Sequence, residues 1–247
     1  DRVTGKLAEF CKEAEFIHID IDASEINKNI LVDIPIQGDV KETLKILQGY
    51  VEPKKDIKPW IRQLQDWKKE FPLSFKLKKG EIVPQSVVSN INKLANKDAI
   101  FSVGVGQHQM WAAQFLDFDE PQNWMCSSGL GAMGYGLSAA MGAQVAFPKR
   151  QVINIEGDGS FLMNIQELQT LKVENIPVKN IILNKAHLGM VAQWEDRFYK
   201  SMRGHTFIGD ANFAEIAHAF GVKSESINDP KDVIPALKRM LKHNGPY

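Results

Sequence analysis

The chain has 247 residues, and its 30 lysine and arginine residues balance 30 aspartate and glutamate residues, so the formal net charge is zero. This length allows one large domain and part of another, and the neutral charge without a long basic run argues against nucleic acid or an anionic membrane as the main partner. The two cysteines, Cys11 and Cys126, match no zinc or CxxC spacing, which favours reduced thiols in a reducing compartment. No apolar run reaches the length of a membrane span, and no signal peptide opens the sequence.

The first region, residues 1–50, is predicted to be the C-terminal part of an α/β domain. It is expected to contain a helix over 5–14, a strand over 16–21, a loop, and a helix over 40–50. The sequence begins at Asp1 rather than at a methionine, which suggests that it is a piece of a longer polypeptide. Residues 51–83 are charged and contain Pro53, Pro59 and Pro72, so we interpret them as a linker with one helix.

From residue 84 to residue 247 the pattern alternates regularly between helix and strand. The predicted helices are 85–96, 108–117, 132–146, 159–173, 188–200, 212–220 and 230–243, and the predicted strands are 98–103, 124–126, 151–156, 178–183 and 221–226. Strands separated by helices indicate a doubly wound parallel sheet with helices on both faces. We expect another strand after Tyr247, so that the domain is truncated at its C-terminus.

Two neighbouring predicted strands end in oxygen-bearing side chains. Asp158 follows the strand 151–156 within a Gly-Asp-Gly sequence, and Asn184 follows the strand 178–183. In a parallel sheet both strand ends lie at the same edge, where ligands bind. Magnesium takes one or two protein oxygens together with phosphates and water, and the helix after Asp158 offers amides to a phosphate. The pattern favours a magnesium–diphosphate site, although Gly-Asp-Gly alone is more typical of a turn with a helix cap.

A second glycine pattern has to be weighed against this interpretation. Gly129 to Gly134 matches GxGxxG, and Glu156 ends the following strand 22 residues later, as in a dinucleotide-binding fingerprint. That fingerprint requires a solid strand before it, whereas residues 122–128 are short and polar. A dinucleotide site would also leave Asp158 and Asn184 unexplained. A third alternative is purely structural, with the glycines allowing an alanine-rich helix to pack tightly on the sheet.

Several stretches together resemble one family, the catalytic subunit of acetohydroxyacid synthase (acetolactate synthase), which is a thiamine diphosphate enzyme. The stretches are residues 105–115 (VGQHQMWAAQF), 127–142, 157–174 and 187–199 (HLGMVAQWEDRFY), together with 1–6 and 18–22 near the start. The stretch 187–199 is the most specific, because thiamine enzymes in general do not share it. The resemblance covers nearly the whole chain and implies that it is the C-terminal portion of such a subunit.

The resemblance implies roles for individual residues at the cofactor. Gln107 and His108 would donate to the diphosphate, Gly159 and Ser160 would contact its phosphates, and Gly189 would also contact the cofactor. Gly131, Ala132 and Met133 would line the aminopyrimidine, with Met133 holding the cofactor in a bent form. Out of context, Met133 is equally typical of core filler, and Gln107 and His108 of ordinary loop polarity.

Met190 and Trp194, four residues apart on one helix, would form the substrate pocket. In the family, the tryptophan selects the second 2-keto acid by packing against its extra methyl group, which is worth only about 1–3 kcal/mol. Without the resemblance, this pair is typical of a core stripe.

The metal ligands implied by the resemblance are Asp158, Asn184 and the His187 carbonyl, with one departure from the family pattern. The family has Asn-Asn where this chain has Asn184-Lys185, and the second asparagine is the usual side-chain ligand. A protonated lysine cannot coordinate Mg²⁺. Either Asn184 substitutes for the missing ligand, or Lys185 supplies charge directly to the diphosphate, or metal affinity is impaired.

Further implications concern FAD and the partner subunit. Asp20, Ile21, Asp39 and Val40 match positions that bind FAD, a structural cofactor in the family, although an acidic strand end and a helix cap explain them equally well. In the family, the activating glutamate belongs to an N-terminal pyrimidine-binding domain of the partner subunit. We therefore expect a homodimer or larger oligomer with its site at the subunit interface, a small regulatory subunit as a further candidate partner, and no activity from these 247 residues alone.

The function implied is decarboxylation of pyruvate and condensation of the two-carbon unit with pyruvate or 2-ketobutyrate, in branched-chain amino acid biosynthesis. The expected location is cytoplasmic, or plastid in a plant or alga. Two alternatives stay open. One is another thiamine diphosphate decarboxylase or carboligase, against which the stretch 187–199 argues. The other is a non-catalytic paralog, for which Lys185 is the best support.

Overall fold

The computed structural model describes residues 3–52 and 56–247, which form two compact units, Asp1–Pro72 and Leu73–Tyr247. The division lies inside the predicted linker 51–83, whose Pro53 falls outside the described residues. The linker bounds themselves stay a prediction.

The first unit contains a small parallel sheet. Its elements are β1 (Ile17–Asp20), β2 (Ile34–Gln37), α1 (Val40–Gln48) and α2 (Lys58–Glu70), and β1 pairs with β2 in parallel. The predicted helix 5–14 is wrong: only a 3-10 turn, Leu7–Glu9, forms there, none of its residues is buried, and Cys11 has a φ of 41°. The strand β2 falls in the region predicted to be a loop, and its Pro35 is a residue that is tolerated in a strand only at a sheet edge.

The second unit is built on a four-stranded parallel sheet in the order β4-β3-β5-β6. Its strands are β3 (Ile100–Val103), β4 (Trp124–Cys126), β5 (Val152–Gly157) and β6 (Lys179–Leu183). Its helices are α3 (Pro84–Leu94), α4 (Gln107–Phe115), α5 (Tyr135–Ala146), α6 (Asp158–Leu162), α7 (Glu167–Val173), α8 (Gly189–Phe198), α9 (Phe213–Ala219) and α10 (Pro230–Lys242).

Each face of this sheet has its own apolar core, which confirms the predicted α/β fold with a doubly wound parallel sheet. One core packs α3, α4 and α10 against the strands, and the other packs α5, α7 and α9 against them. The inner strands β3 and β5 are buried along their whole length, as expected for strands that are covered on both faces. Within the described parts of the chain, no helix is long and apolar enough to cross a membrane.

Two predicted elements of the second unit differ from the structure. The predicted helix 159–173 is divided into α6 and α7, and between them the Asn164 side chain donates to the carbonyl of Gly134 at 2.8 Å. The predicted strand 221–226 is wrong, since it pairs with no strand in the described residues. Ser224 instead donates its hydroxyl to the Ala214 carbonyl at 2.8 Å, which ties this segment to the neighbouring helix.

Candidate functional site

The residues predicted for the thiamine diphosphate and magnesium site follow the carboxyl ends of the four parallel strands of the second unit. The loop after β3 leads into α4 at Gln107, α6 begins at Asp158 directly after β5, and Asn184 follows β6. The glycine-rich loop 129–134 follows β4 and precedes α5. Because β3, β5 and β6 are adjacent in the sheet, their loops are close enough to form one site.

Asp158 connects two of these loops. The side chain is buried; its Oδ1 accepts the Gly159 N–H at 2.8 Å, and its Oδ2 accepts the N–H groups of Lys185 at 2.9 Å and His187 at 3.3 Å. The carboxylate therefore fixes the loop after β6 against the start of α6. Two carboxylate oxygens can accept about four hydrogen bonds, so three donors leave room for a cation.

His108 lies beneath the glycine that ends β5. A side chain at Gly157 would place its Cβ 2.7 Å from His108 Nδ1, so only glycine leaves room for the imidazole. His108 is buried, and its Nε2 lies 3.6 Å from an oxygen of Glu156. Burial lowers the pKa of His108 to about 4, so the ring is neutral near pH 7. Its Nε2 has no hydrogen-bond partner among the described residues.

Glu156 occupies a slot formed by two other glycines. A Cβ at Gly104 would lie 1.7 Å from Glu156 Oε2, and one at Gly136 would lie 2.3 Å from Oε1. Burial raises the pKa of Glu156 to about 7, and this effect outweighs the opposing influence of the nearby Ser160 hydroxyl and backbone. None of these groups makes a well-formed hydrogen bond with the carboxyl oxygens. Glu156 and His108 are thus both driven toward their neutral forms.

Gln107 reaches across to α8. Its Nε2 donates to Gln193 Oε1 at 2.8 Å, and its own Oε1 lies 2.4 Å from where a Cβ of Gly189 would be. Gly189 therefore matters here because it leaves room for the Gln107 side chain. The contact joins the start of α4 to the helix that carries Met190 and Trp194.

The glycine-rich loop lies next to the start of α6. Gly131 and Gly134 have φ values of 68° and 84°, a region that disfavours other residues. Ser160 is buried, and its Oγ accepts the Gly134 N–H at 3.0 Å. The Met133 methyl approaches Gly159, within 3.4 Å of where a Cβ of that glycine would be. Ala132 donates its N–H to Ser127 Oγ at 3.0 Å, so this loop is held in a defined shape.

Trp194 is 57 % exposed and packs against Phe198 at a centroid distance of 4.9 Å, with the two rings tilted by 35°, while Met190 is half-buried. The pair is therefore not a core stripe. Its apolar surface is available to a ligand or to another chain.

The side chains of Asn184 and Lys185 contact groups other than Asp158. The Asn184 amide nitrogen donates to Asp210 Oδ1 at 2.8 Å, and its oxygen accepts the Ala186 N–H at 3.1 Å. The Lys185 ammonium lies over the Trp111 ring, 5.2 Å from its centroid. The contact between Lys185 and Trp111 was not evident from the sequence, and the only signal was that Trp111 lies one helical turn after Gln107.

The four residues matched to FAD binding lie in the first unit. Asp20 ends β1, and its Oδ1 accepts the Asp22 N–H at 2.9 Å. Asp39 caps α1 by accepting the N–H groups of Lys41 and Glu42, which is the ordinary role of an N-cap. Ile21 and Val40 are exposed. The helix cap thus explains Asp39 and the end of β1 explains Asp20. FAD binding stays a prediction.

Comparison with known proteins identifies the family of this site. The family model described as "Thiamine pyrophosphate enzyme, C-terminal TPP binding domain" matches residues 104–247, and the model of the central domain of the same enzymes matches residues 1–47. The chain belongs to the thiamine pyrophosphate enzyme family. The glycine loops and the Asp158 cluster all fall inside the matched TPP-binding domain.

Similar proteins are plant acetolactate synthases. The chain is 48% identical to acetolactate synthase 3, chloroplastic, of Brassica napus, 48% identical to acetolactate synthase, chloroplastic, of Arabidopsis thaliana, and 46% identical to acetolactate synthase 2, chloroplastic, of Zea mays. Each match covers 100% of this chain and 39–41% of the relative. The chain thus spans about two fifths of the length of these relatives.

The residues present fit a diphosphate with one divalent cation. The described residues contain no group of three His, Cys, Asp or Glu side chains able to hold a metal alone, but magnesium needs only one or two protein oxygens when phosphates complete its shell. Asp158 retains lone pairs for this purpose, and no hydrogen bond is found to the neighbouring His187 carbonyl among the described residues. The His108 ring places Nδ1 next to Gly106 and Gly157, while its unpartnered Nε2 lies 3.6 Å from a Glu156 oxygen.

Proposed function

We propose that the protein carrying this chain is an acetolactate synthase, which decarboxylates pyruvate and joins the two-carbon unit to pyruvate or 2-ketobutyrate. The observation that carries the proposal is the stretch from His187 to Tyr199, which resembles this family specifically and which the structure joins to Asp158 and Gln107. The identity to plant acetolactate synthases over the whole chain supports it.

The loops at the sheet edge would hold the cofactor. Thiamine diphosphate, when bound, supplies an electron sink for the electrons released when a 2-keto acid loses carbon dioxide. Asp158 and the His187 carbonyl would hold Mg²⁺, and the amides at the start of α6 would face the phosphates. Gln107 and His108 would contact the diphosphate, and His108 would do so as a neutral hydrogen-bonding group because burial lowers its pKa to about 4.

The residues beyond the diphosphate would shape the rest of the pocket. Gly131, Ala132 and Met133 would line the aminopyrimidine, and Met190 and Trp194 would pack against the second 2-keto acid. The exposed face of Trp194 suits such a contact better than a core position. Asp20, Ile21, Asp39 and Val40 would contribute part of an FAD site in the first unit.

We propose that the active site is completed by a second subunit that contributes the activating glutamate, so that these residues form one side of a shared site. A plastid location follows the same proposal if the source is a plant or alga, as in the chloroplastic relatives.

The test is to express the complete reading frame and the 247-residue chain separately, each with thiamine diphosphate, Mg²⁺ and FAD, and to measure acetolactate formed from pyruvate. We expect turnover from the complete protein and none from the 247-residue chain. A complete protein that binds the cofactor but forms no acetolactate would contradict the proposed activity. Turnover by the 247-residue chain would contradict the shared site.

A second candidate function, that of a non-catalytic paralog, is favoured by one observation. Lys185 stands where the family has a metal-binding asparagine, and its ammonium lies on Trp111 instead of beside Asp158. If magnesium binding were impaired for this reason, the protein would act as an assembly partner. The same expression experiment decides, because such a paralog would form no acetolactate even as a complete chain.

A further inference from the structure

A short segment after α8 lies antiparallel to the loop that follows β6. The Leu188 N–H donates to the Thr206 carbonyl at 2.8 Å, and the Ile208 N–H donates to the Ala186 carbonyl at 3.0 Å. His187 and Phe207 therefore face each other as an isolated antiparallel bridge. We call residues 204–208 the bracing segment, because it pairs with the loop 185–188.

Glu195 on α8 holds the bracing segment in place. Its Oε1 accepts the Gly204 N–H at 2.7 Å, and its Oε2 accepts the Thr206 hydroxyl at 3.1 Å. Arg203 lies 3.5 Å from the same Oε2 and also donates to the Ala192 carbonyl of α8. The Glu195 side chain is only 12% exposed and Thr206 is buried, so the hydrogen bond between them is shielded from water, whereas the Arg203 side chain is 41% exposed.

The bracing segment is linked in turn to the candidate cation site. The loop that it holds supplies the Lys185 and His187 N–H groups to Asp158 Oδ2. A Cβ at Gly159 would lie 2.7 Å from a Leu188 methyl and 3.3 Å from an Ile208 methyl. The position of the bracing segment therefore affects the start of α6 in two ways. One is through the hydrogen bonds from the loop 185–188 to Asp158. The other is through the apolar side chains of Leu188 and Ile208 next to Gly159.

We propose that Glu195 is a positioning residue for the cation and diphosphate site, acting through the bracing segment on the loop 185–188. The inference rests on the proposed function, since it concerns the same site. Glu195 does not itself contact Asp158 in any hydrogen bond of the described residues. Its role is to fix the bracing segment. The backbone hydrogen bonds of that segment, to Ala186 and Leu188, set the directions of the His187 N–H and carbonyl groups.

The chemistry of these contacts requires a carboxylate. Glu195 faces three donors, which are a backbone N–H, a hydroxyl and a guanidinium, and only a carboxylate accepts at both ends. A glutamine would lose the negative charge next to Arg203, and its NH₂ group would face either the Gly204 N–H, which cannot accept, or the Thr206 hydroxyl, which would have to turn from donor to acceptor. Surrounding groups that orient metal ligands change metal affinity about 10–100-fold when they are lost.

The test uses Glu195→Gln and Glu225→Gln in the protein expressed from its complete reading frame. Glu225 is a matched control, because it also accepts from an arginine (Arg239) and a hydroxyl (Tyr247) but has no contact with the loop 185–188. Calorimetry would give the Mg²⁺ concentration at which thiamine diphosphate binding is half-saturated. We expect this concentration to rise at least tenfold in Glu195→Gln and to stay unchanged in Glu225→Gln.

A pair of variants at Thr206 separates positioning from general loss of stability. Thr206→Val removes the hydroxyl that Glu195 accepts, whereas Thr206→Ser keeps it. We expect only the valine variant to raise the half-saturating Mg²⁺ concentration and to accelerate amide exchange at His187. The inference is overturned if Glu195→Gln folds and binds Mg²⁺ like the native protein, or if it shifts no more than Glu225→Gln. If the native protein binds no thiamine diphosphate, the proposed function fails instead.

Discussion

The Lys185 ammonium rests 5.2 Å from the centre of the Trp111 ring, while the backbone N–H of the same residue donates to Asp158. One residue thus connects the loop after β6 both to the candidate cation site and to α4, the helix that begins with Gln107. A cation–π contact of this kind is worth about 0.5–1 kcal/mol at an exposed site, which is small enough for the ammonium to leave when an anionic ligand is close.

Lys185→Asn should increase the dependence of thiamine diphosphate binding on Mg²⁺. The change removes a cation near the diphosphate, but it adds an amide oxygen able to coordinate Mg²⁺, and a divalent ion is the larger local charge. Calorimetry with and without Mg²⁺ measures the effect in the complete protein. Lys185→Met, which removes the charge without adding an oxygen, should weaken binding under both conditions. The prediction fails if the native protein is already as dependent on Mg²⁺ as the asparagine variant.

Gly189→Ala should weaken cofactor binding with little effect on folding stability. Its Cβ would lie 2.4 Å from Gln107 Oε1, so the flexible Gln107 side chain would turn away from the position in which we propose that it donates to the diphosphate. A typical hydrogen bond contributes about 0.5–1.5 kcal/mol, so we expect thiamine diphosphate affinity to fall by roughly three- to tenfold.

Gly142→Ala provides the control for this substitution. Gly142 lies in α5 with nothing within 4 Å of its Cβ position, so alanine there should stabilise the protein by about 0.5–1 kcal/mol and leave cofactor affinity unchanged. Equal affinity of Gly189→Ala and the native protein would show that Gln107 is not needed at the diphosphate.

The sequence was sufficient to predict which backbone positions would meet. Asp158 and His187 come together because both follow strands of one parallel sheet, and that sheet follows from the alternation of helices and strands. The directions of Asn184 and Lys185 could not be predicted, because they depend on Asp210 and Trp111, which are distant in sequence. Side-chain direction at a loop is decided by tertiary neighbours, whereas strand ends are set locally.

The structural roles of the glycines could also be predicted only in part from the sequence. The GxGxxG pattern covers residues 129–134, but the glycines that make room for Glu156 are Gly104, which follows β3, and Gly136 in the first turn of α5. Their shared role depends on β3 being adjacent to β5 and on α5 packing against the sheet. No local pattern encodes such an arrangement, so Glu156 was considered only as the acidic residue of a dinucleotide fingerprint.

Glu156→Gln should change how stability depends on pH. Burial raises the pKa of Glu156 from 4.5 to about 7 and lowers that of His108 from 6.5 to about 4. Between pH 4.5 and 6.5 the unfolded chain holds a proton on His108 and the folded chain holds one on Glu156, so the two proton counts are equal. In the native protein, the contribution of Glu156 and His108 to the free energy of unfolding is therefore almost independent of pH in this interval.

In Glu156→Gln, His108 is the only member of the pair that still makes the free energy of unfolding depend on pH. Its folded pKa lies below its unfolded value, so its contribution is complete above pH 6.5 and is lost as the pH falls toward 4. The free energy of unfolding of Glu156→Gln, measured with urea in EDTA relative to the native protein, should be higher at pH 6.5 than at pH 4.5 by about 2 kcal/mol. His108→Gln should show the opposite slope. Parallel pH profiles for all three proteins would contradict the assigned pKa directions.

Trp194→Leu should reduce the preference for 2-ketobutyrate over pyruvate in the complete enzyme. Trp194 is exposed and backed by Phe198, so its ring can pack against the extra methyl group of the larger acceptor. That methyl group is worth about 1–3 kcal/mol, and losing the contact should lower the ratio of the two products by roughly five- to 150-fold. Synthesis from pyruvate alone should continue, because the diphosphate contacts are untouched.

Trp60→Leu replaces another exposed tryptophan, in the first unit, and should leave the product ratio unchanged. A competition assay with both acids measures the ratio, and an equal ratio in native and Trp194→Leu enzymes would remove Trp194 from the acceptor site.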